Sequence, residues 1–121
     1  MSYVDGYVIP IPNDNVNAYK ELADKMGAIW IKHGALAYKE CIAEDIDDTE
    51  FGEGKFRQAS GASEGETVIF AFIIYKSREH RDEVNKKVME DQRTKESCNE
   101  HNMPFELKRM IMGGFDVIVD L

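Results

Sequence analysis

At 121 residues, with 43% hydrophobic and 31% charged side chains, the chain has the composition of an ordinary globular domain and none of the depletion that marks disorder. Its formal charge of −8 argues against nucleic acids and anionic membranes as partners, because phosphate recognition needs clustered Lys and Arg. No apolar run approaches the length of a bilayer span, the first residues lack a signal-peptide pattern, and Cys41 and Cys98 form no disulfide framework. One domain over residues 1–121, cytoplasmic and with reduced thiols, is the expectation.

Residues 3–11 place Val4 and Val8 on one face and Tyr3, Tyr7 and Ile9 on the other, and predict a first strand ended by Pro12. Asn13 or Asp14 is the expected cap of a helix whose apolar stripe runs through Val16, Tyr19, Leu22, Ala23, Met26, Ile29, Trp30 and His33, with Gly34 as its left-handed stop. Residues 35–46 read as a second strand interrupted by Lys39, Glu40 and Glu44, residues 45–54 as an acidic loop, and residues 56–59 as a short strand. Residues 67–75 are apolar at odd and even positions alike, the mark of a strand buried on both faces. Ser77 caps a second helix with a thin stripe of Val84 and Val88, beside Met89; Arg81, Asp82, Glu83, Lys86 and Lys87 are assigned to water. Asp91 begins a short helix through residue 100, and residues 108–119 form a last strand in which Gly113 and Gly114 suggest a bulge or a close backbone approach.

The order strand, helix, strand, strand, helix, strand is the α+β, ferredoxin-like βαββαβ plan. It has a four-stranded antiparallel sheet, both helices on one face, and the first and third long strands in the middle. Two helices cover one face only. The other would expose Ile, Phe or Tyr from several strands, so pairing of two such faces into a dimeric α+β barrel is expected. A monomer covered by its own loop and C-terminal tail is the alternative.

Tyr3-Val4-Asp5-Gly6-Tyr7-Val8, Gly34-Ala35-Leu36 followed by Glu40-Cys41, Tyr75-x-Ser77-x-x-x-Arg81-Asp82-x-x-Asn85, Asp91-x-Arg93, Met103-Pro104-Phe105 and Lys108-Arg109-Met110-Ile111-x-Gly113-Gly114-Phe115 together resemble the YbaA-like family of small bacterial proteins of unknown function. The resemblance spans nearly the whole chain and implies the same ferredoxin-like, dimeric barrel. It carries over no catalytic residue. Phe72 stands where the family pattern has tryptophan, and Glu106 where it has aspartate. A link to signal recognition particle RNA attached to some relatives is opposed by the charge: Lys86, Lys87, Arg93 and Lys95 are interleaved with Glu83, Glu90, Asp91 and Glu96.

Chemistry is sought among polar groups where burial is costly. Asp5 lies in a strand expected to be central and is a candidate acid or base, with His33 and Tyr75 as the other catalytic candidates. Tyr7, Glu40, Phe72 and Arg109 are candidates for substrate contact. Asp5 could instead pair with Arg109 or a backbone amide and fix strand register, and His33 could serve as a helix-end cap. Cys98-x-x-His101 has half a zinc spacing with no second pair, and no glycine-rich loop opens a helix, so neither metal nor cofactor is expected. Two readings stay open: a non-catalytic homodimer that binds a small organic metabolite or a protein partner, and a cofactor-independent monooxygenase- or isomerase-like enzyme acting on a small organic substrate, the latter by fold analogy.

Overall fold

The doubly apolar run becomes the centre of the sheet. In the computed structural model, which describes residues 2–50, 52–98 and 103–121, strand β1 (Tyr3–Pro12) leads through a 3-10 turn (Asn13–Asn15) into helix α1 (Val16–Lys32) and strand β2 (Ala37–Ile42). Two short strands, β3 (Asp48–Thr49) and β4 (Gly52–Glu53), and helix α2 (Phe56–Ser60) precede β5 (Glu66–Tyr75). Helices α3 (Arg78–Glu90) and α4 (Gln92–Ser97) and strand β6 (Ile111–Asp116) follow. The main sheet is ordered β2-β5-β1-β6 with every neighbouring pair antiparallel, the ferredoxin-like α+β arrangement with its two longest strands central. No described helix is long and apolar enough to cross a membrane.

Register sorts the side chains. Tyr3 lies opposite Tyr75, Tyr7 opposite Ala71 and Ile9 opposite Ile69, while Glu40 flanks Ala71 from the other side. Since successive strand residues point to opposite faces, these residues share one face, and the helices pack on it. From α1, Tyr19, Ala23, Met26 and Ile29 are buried there at steps of three and four. Val84 and Val88 of α3 are fully buried, each stabilising by at most about 1.5–3 kcal/mol. The core divides into a cluster around Tyr3, Met26, Ile73, Tyr75 and Val88 and another around Ile9, Ile11, Tyr19 and Ile69. Tyr7 touches both.

The opposite face carries Val4, Val8, Phe70, Phe72, Ile74, Ile111 and Phe115 by the same register. Helix α2 covers one end, where Phe56 meets Phe70 edge-on and Val68 is buried. Beyond it Phe70, Ile111 and Phe115 are 44%, 48% and 61% exposed. The tail does not bury itself there, because Ile118, Val119 and Leu121 are themselves exposed.

Several local expectations are corrected. Residues 56–59 are helical: so short a segment has no readable period, and its one turn is closed by Gly61 in a left-handed conformation. Neither Asn13 nor Asp14 caps α1; both lie in the 3-10 turn, and Asn15 donates from Nδ2 to the Pro104 carbonyl instead. Strand β2 is shorter than expected, and β6 begins only at Ile111, after a 3-10 turn (Leu107–Arg109). Gly113 and Gly114 make no bulge, since pairing with Gly6 and Asp5 is continuous. Gly114 is required by an aromatic ring: a Cβ there would collide with Tyr3. Ser77 caps α3 by accepting from the His80 amide, and Asp91 caps α4, which ends at Ser97; residue 100 lies outside the described residues.

Candidate functional site

A cavity of about 360 Å³ lies between the sheet and the helices. Its floor is one cross-strand row, Met112, Tyr7, Ala71 and Glu40, fixed by the register of four strands. Ala71 is the small member, and the row dips where it stands between Tyr7 and Glu40. Over the floor stand Tyr19, Met26 and Trp30 of α1, Asn85 and Met89 of α3, and Thr94 and Cys98 of the α4 end. Residues 103–110 supply a cover through Met103, Phe105, Leu107 and Met110. Phe105 packs edge-on against Tyr19 at 5.7 Å, Asn15 holds the Pro104 carbonyl at 2.9 Å, and Arg109 anchors the far end. Five of the chain's six methionines line this space, giving it a polarizable wall that adapts to an occupant's shape.

The polar groups are few and placed. Glu40 accepts from the Tyr19 hydroxyl at 2.7 Å through Oε1 and from the Tyr38 hydroxyl at 2.6 Å through Oε2. Burial raises the Glu40 carboxyl above its usual value, against the opposing pull of the two hydroxyls. Burial and the neighbouring carboxylate raise both phenols as well, so they remain protonated donors. Tyr38 reaches this position because α1 carries Gly27 beneath it, where a Cβ would stand 2.7 Å from the ring. The Tyr7 and Thr94 side-chain hydroxyls have no hydrogen-bond partner among the described residues, and the Thr94 hydroxyl oxygen is fully buried. Tyr19, Glu40 and Tyr38 also line a second groove of about 830 Å³ along β2 and α1, so they stand between the two spaces.

A pH dependence follows. A carboxyl whose midpoint is raised in the folded chain binds its proton more tightly there than when unfolded. Its contribution to stability is therefore full below its ordinary value of 4.5 and is lost as pH rises through the raised midpoint. Urea unfolding of Glu40→Gln, compared with the parent between about pH 4 and about pH 8, is expected to lack that decline.

Asp5 is 1% exposed in the central strand, and Arg81 donates from Nη1 to its Oδ1 at 2.7 Å. Its Oδ2 has no partner among the described residues. Burial raises the Asp5 carboxyl, against Arg81, Asn85 and Tyr75, which favour its charged form. Trp30 donates from its indole to the Tyr75 hydroxyl at 3.0 Å and to Asn85 Oδ1 at 3.2 Å, and Tyr75 also donates to Asn85. The network braces the cavity wall, since Trp30 and Asn85 belong to both.

Of the residues singled out from sequence, Tyr7 and Glu40 line the cavity, and Asp5 and Tyr75 sit in the adjoining network. Phe72 points to the open sheet face, since it lies opposite Gly6 and one step out of phase with Ala71. Arg109 does not meet Asp5; it grips Glu66 with two nitrogens at 2.8 and 2.9 Å and the Gly61 carbonyl at 2.8 Å, holding the Glu66 carboxyl down to about 2. His33 pairs with Asp91 Oδ2 at 2.8 Å, clipping the end of α1 to the start of α4 outside the cavity. Among the described residues no cluster of His, Cys, Asp or Glu could hold a metal, and His101 lies outside them. Sequence reasoning missed Arg81, assigned to water, although 81, 84, 85 and 88 share one helical face. It also missed the Tyr19 and Tyr38 contacts to Glu40.

The fold and cavity define a ferredoxin-like α+β protein with an apolar chamber and a tyrosine-held carboxyl group. The chain belongs to the DUF1428 family, described as proteins of unknown function, whose model matches residues 2–107. It is 45% identical over 120 residues to the uncharacterized protein YbaA of Escherichia coli K12, covering 99% of each chain, and equally so to YbaA of Shigella flexneri.

Proposed function

We propose that the chain binds a small, largely apolar organic molecule with one or two hydrogen-bonding groups in this cavity, as a cytoplasmic homodimer. The observation that carries the reading is Glu40, partly buried and held by two tyrosine hydroxyls in a largely apolar chamber, with the Tyr7 and Thr94 hydroxyls without partners among the described residues. The volume falls in the usual range for small-molecule sites, roughly 300–1,000 Å³, and apolar walls with few placed polar groups are their usual chemistry. The uncovered sheet face supports the dimer, because exposed Phe70, Ile111 and Phe115 form a patch of the kind proteins bury against a partner. The free thiols of Cys41 and Cys98 suit a reducing compartment.

The test uses 2-naphthol, two fused rings with one hydroxyl. Trp30, the chain's only tryptophan, lines the cavity, so its single indole N–H resonance reports occupancy. Titration is expected to shift that resonance saturably. Ala71→Leu, which fills the dip in the floor, is expected to weaken binding at least about tenfold while the fold persists, as overpacking costs about 1–3 kcal/mol. No shift in the parent chain, or equal binding by both, would count against the reading.

A further inference from the structure

We infer that Glu40 is a catalytic base that moves a proton to and from carbon beside a carbonyl group, with Tyr7 donating to the carbonyl oxygen, in an apolar cyclic or aromatic ketone. The inference deepens the proposed binding reading and rests on it. An ionised carboxylate has about four lone-pair positions, and the tyrosines use two, so Glu40 keeps acceptor capacity toward an occupant. Tyr7 stands two strands away in the same row, roughly 9–10 Å at the backbone, with only Ala71 between. Both side chains line the cavity on either side of Ala71, so a ring over Ala71 would lie between an acceptor and a donor hydroxyl.

The chemistry balances without an oxidant. The carbon–hydrogen bond next to the carbonyl breaks, and its proton forms an O–H bond on Glu40. The electron pair moves through the new carbon–carbon double bond to the carbonyl oxygen, whose negative charge the Tyr7 O–H stabilises. Return of the proton to the same carbon, or to another carbon of a conjugated system, restores both carboxylate and carbonyl, so the net result is exchange or isomerisation. Three features favour this role. The raised Glu40 carboxyl makes a stronger base once ionised. Tyr19 and Tyr38 fix its orientation, so no reorganisation is needed as charge shifts. Glu40 also lines the second groove, which gives its proton a path to water that bypasses the chamber.

The experiment follows loss of the C1 hydrogens of 2-tetralone by NMR in deuterated water with the full chain, beside 2-naphthol binding, whose ring hydroxyl mimics the enol. Exchange is expected above the buffer rate. Glu40→Gln should lower it by about 100-fold or more, the usual worth of a positioned base, a loss much larger than the weakening of 2-naphthol binding in the same variant. Tyr7→Phe, which leaves Glu40 in place, should lower exchange at least about tenfold by the same reasoning. Binding of 2-naphthol without exchange above buffer, or exchange unchanged in Glu40→Gln, overturns the catalytic role and leaves the binding reading standing. Absence of both binding and exchange overturns both.

Discussion

Arg81→Met is expected to cost about 3 kcal/mol of unfolding free energy at neutral pH, the scale for breaking a buried ion pair by removing one partner. Asp5 has one oxygen bound to Arg81, so without the guanidinium a central-strand carboxylate keeps only the smaller support of Asn85 and Tyr75. Arg81 also stacks over the Tyr3 ring at 5.0 Å, and its loss removes that contact too. The deficit depends on pH with a definite sign. Asp5 already titrates above its ordinary 3.8, and losing Arg81 raises it further. Its contribution is thus kept at low pH and lost as pH rises through the raised midpoint, so the cost of Arg81→Met shrinks on acidification. Asp5→Asn combined with Arg81→Met should recover much of the loss, because no charge is then left buried. Urea unfolding of the single and double variants checks this, and equal, pH-independent deficits would contradict it.

Phe115→Glu is expected to divide the proposed homodimer. Phe115 is the most exposed aromatic of the open face and stands on the edge strand β6 beside Val4 of β1, so a charge there falls within the apolar surface that a face-to-face pairing of sheets would bury. A two-fold interface meets every substitution twice, and two carboxylates are buried together. Light scattering after size exclusion should give twice 13.8 kDa for the parent chain and 13.8 kDa for the variant at micromolar concentration. Since Phe115 is on the side away from the cavity, 2-naphthol binding should persist in the monomer. A parent chain that is already monomeric would remove the dimer and leave the cavity untouched.

The topology was legible because its determinants are local or periodic. The alternation of β1, the stripe of α1 and the doubly apolar β5 each declare an element, and their order leaves few ways to connect them. Facing was less legible. In β5 both parities are apolar, so nothing in the run says that Ala71 turns toward the helices and Phe72 away; pairing with β1 decides it. Arg81 shows the limit of reading polarity as exposure. It shares a helical face with Val84 and Val88, and only a buried acceptor on another element, Asp5, explains its place. Glu40 could be picked out as a carboxylate in a strand, and Tyr38 stands two residues before it on the same face. Tyr19 comes from a helix, and that contact exists only once α1 docks. The cover over residues 103–110 was equally hidden, since Arg109 gains its role from Glu66, 43 residues away in sequence.

The most direct test of the account is a crystal structure with 2-naphthol bound. The account predicts the two rings lying over Ala71 between Tyr7 and Glu40, with the naphthol hydroxyl in hydrogen-bond reach of one of them. A ligand seated only on the open sheet face, with the chamber closed by Met103, Phe105 and Met110, would contradict it.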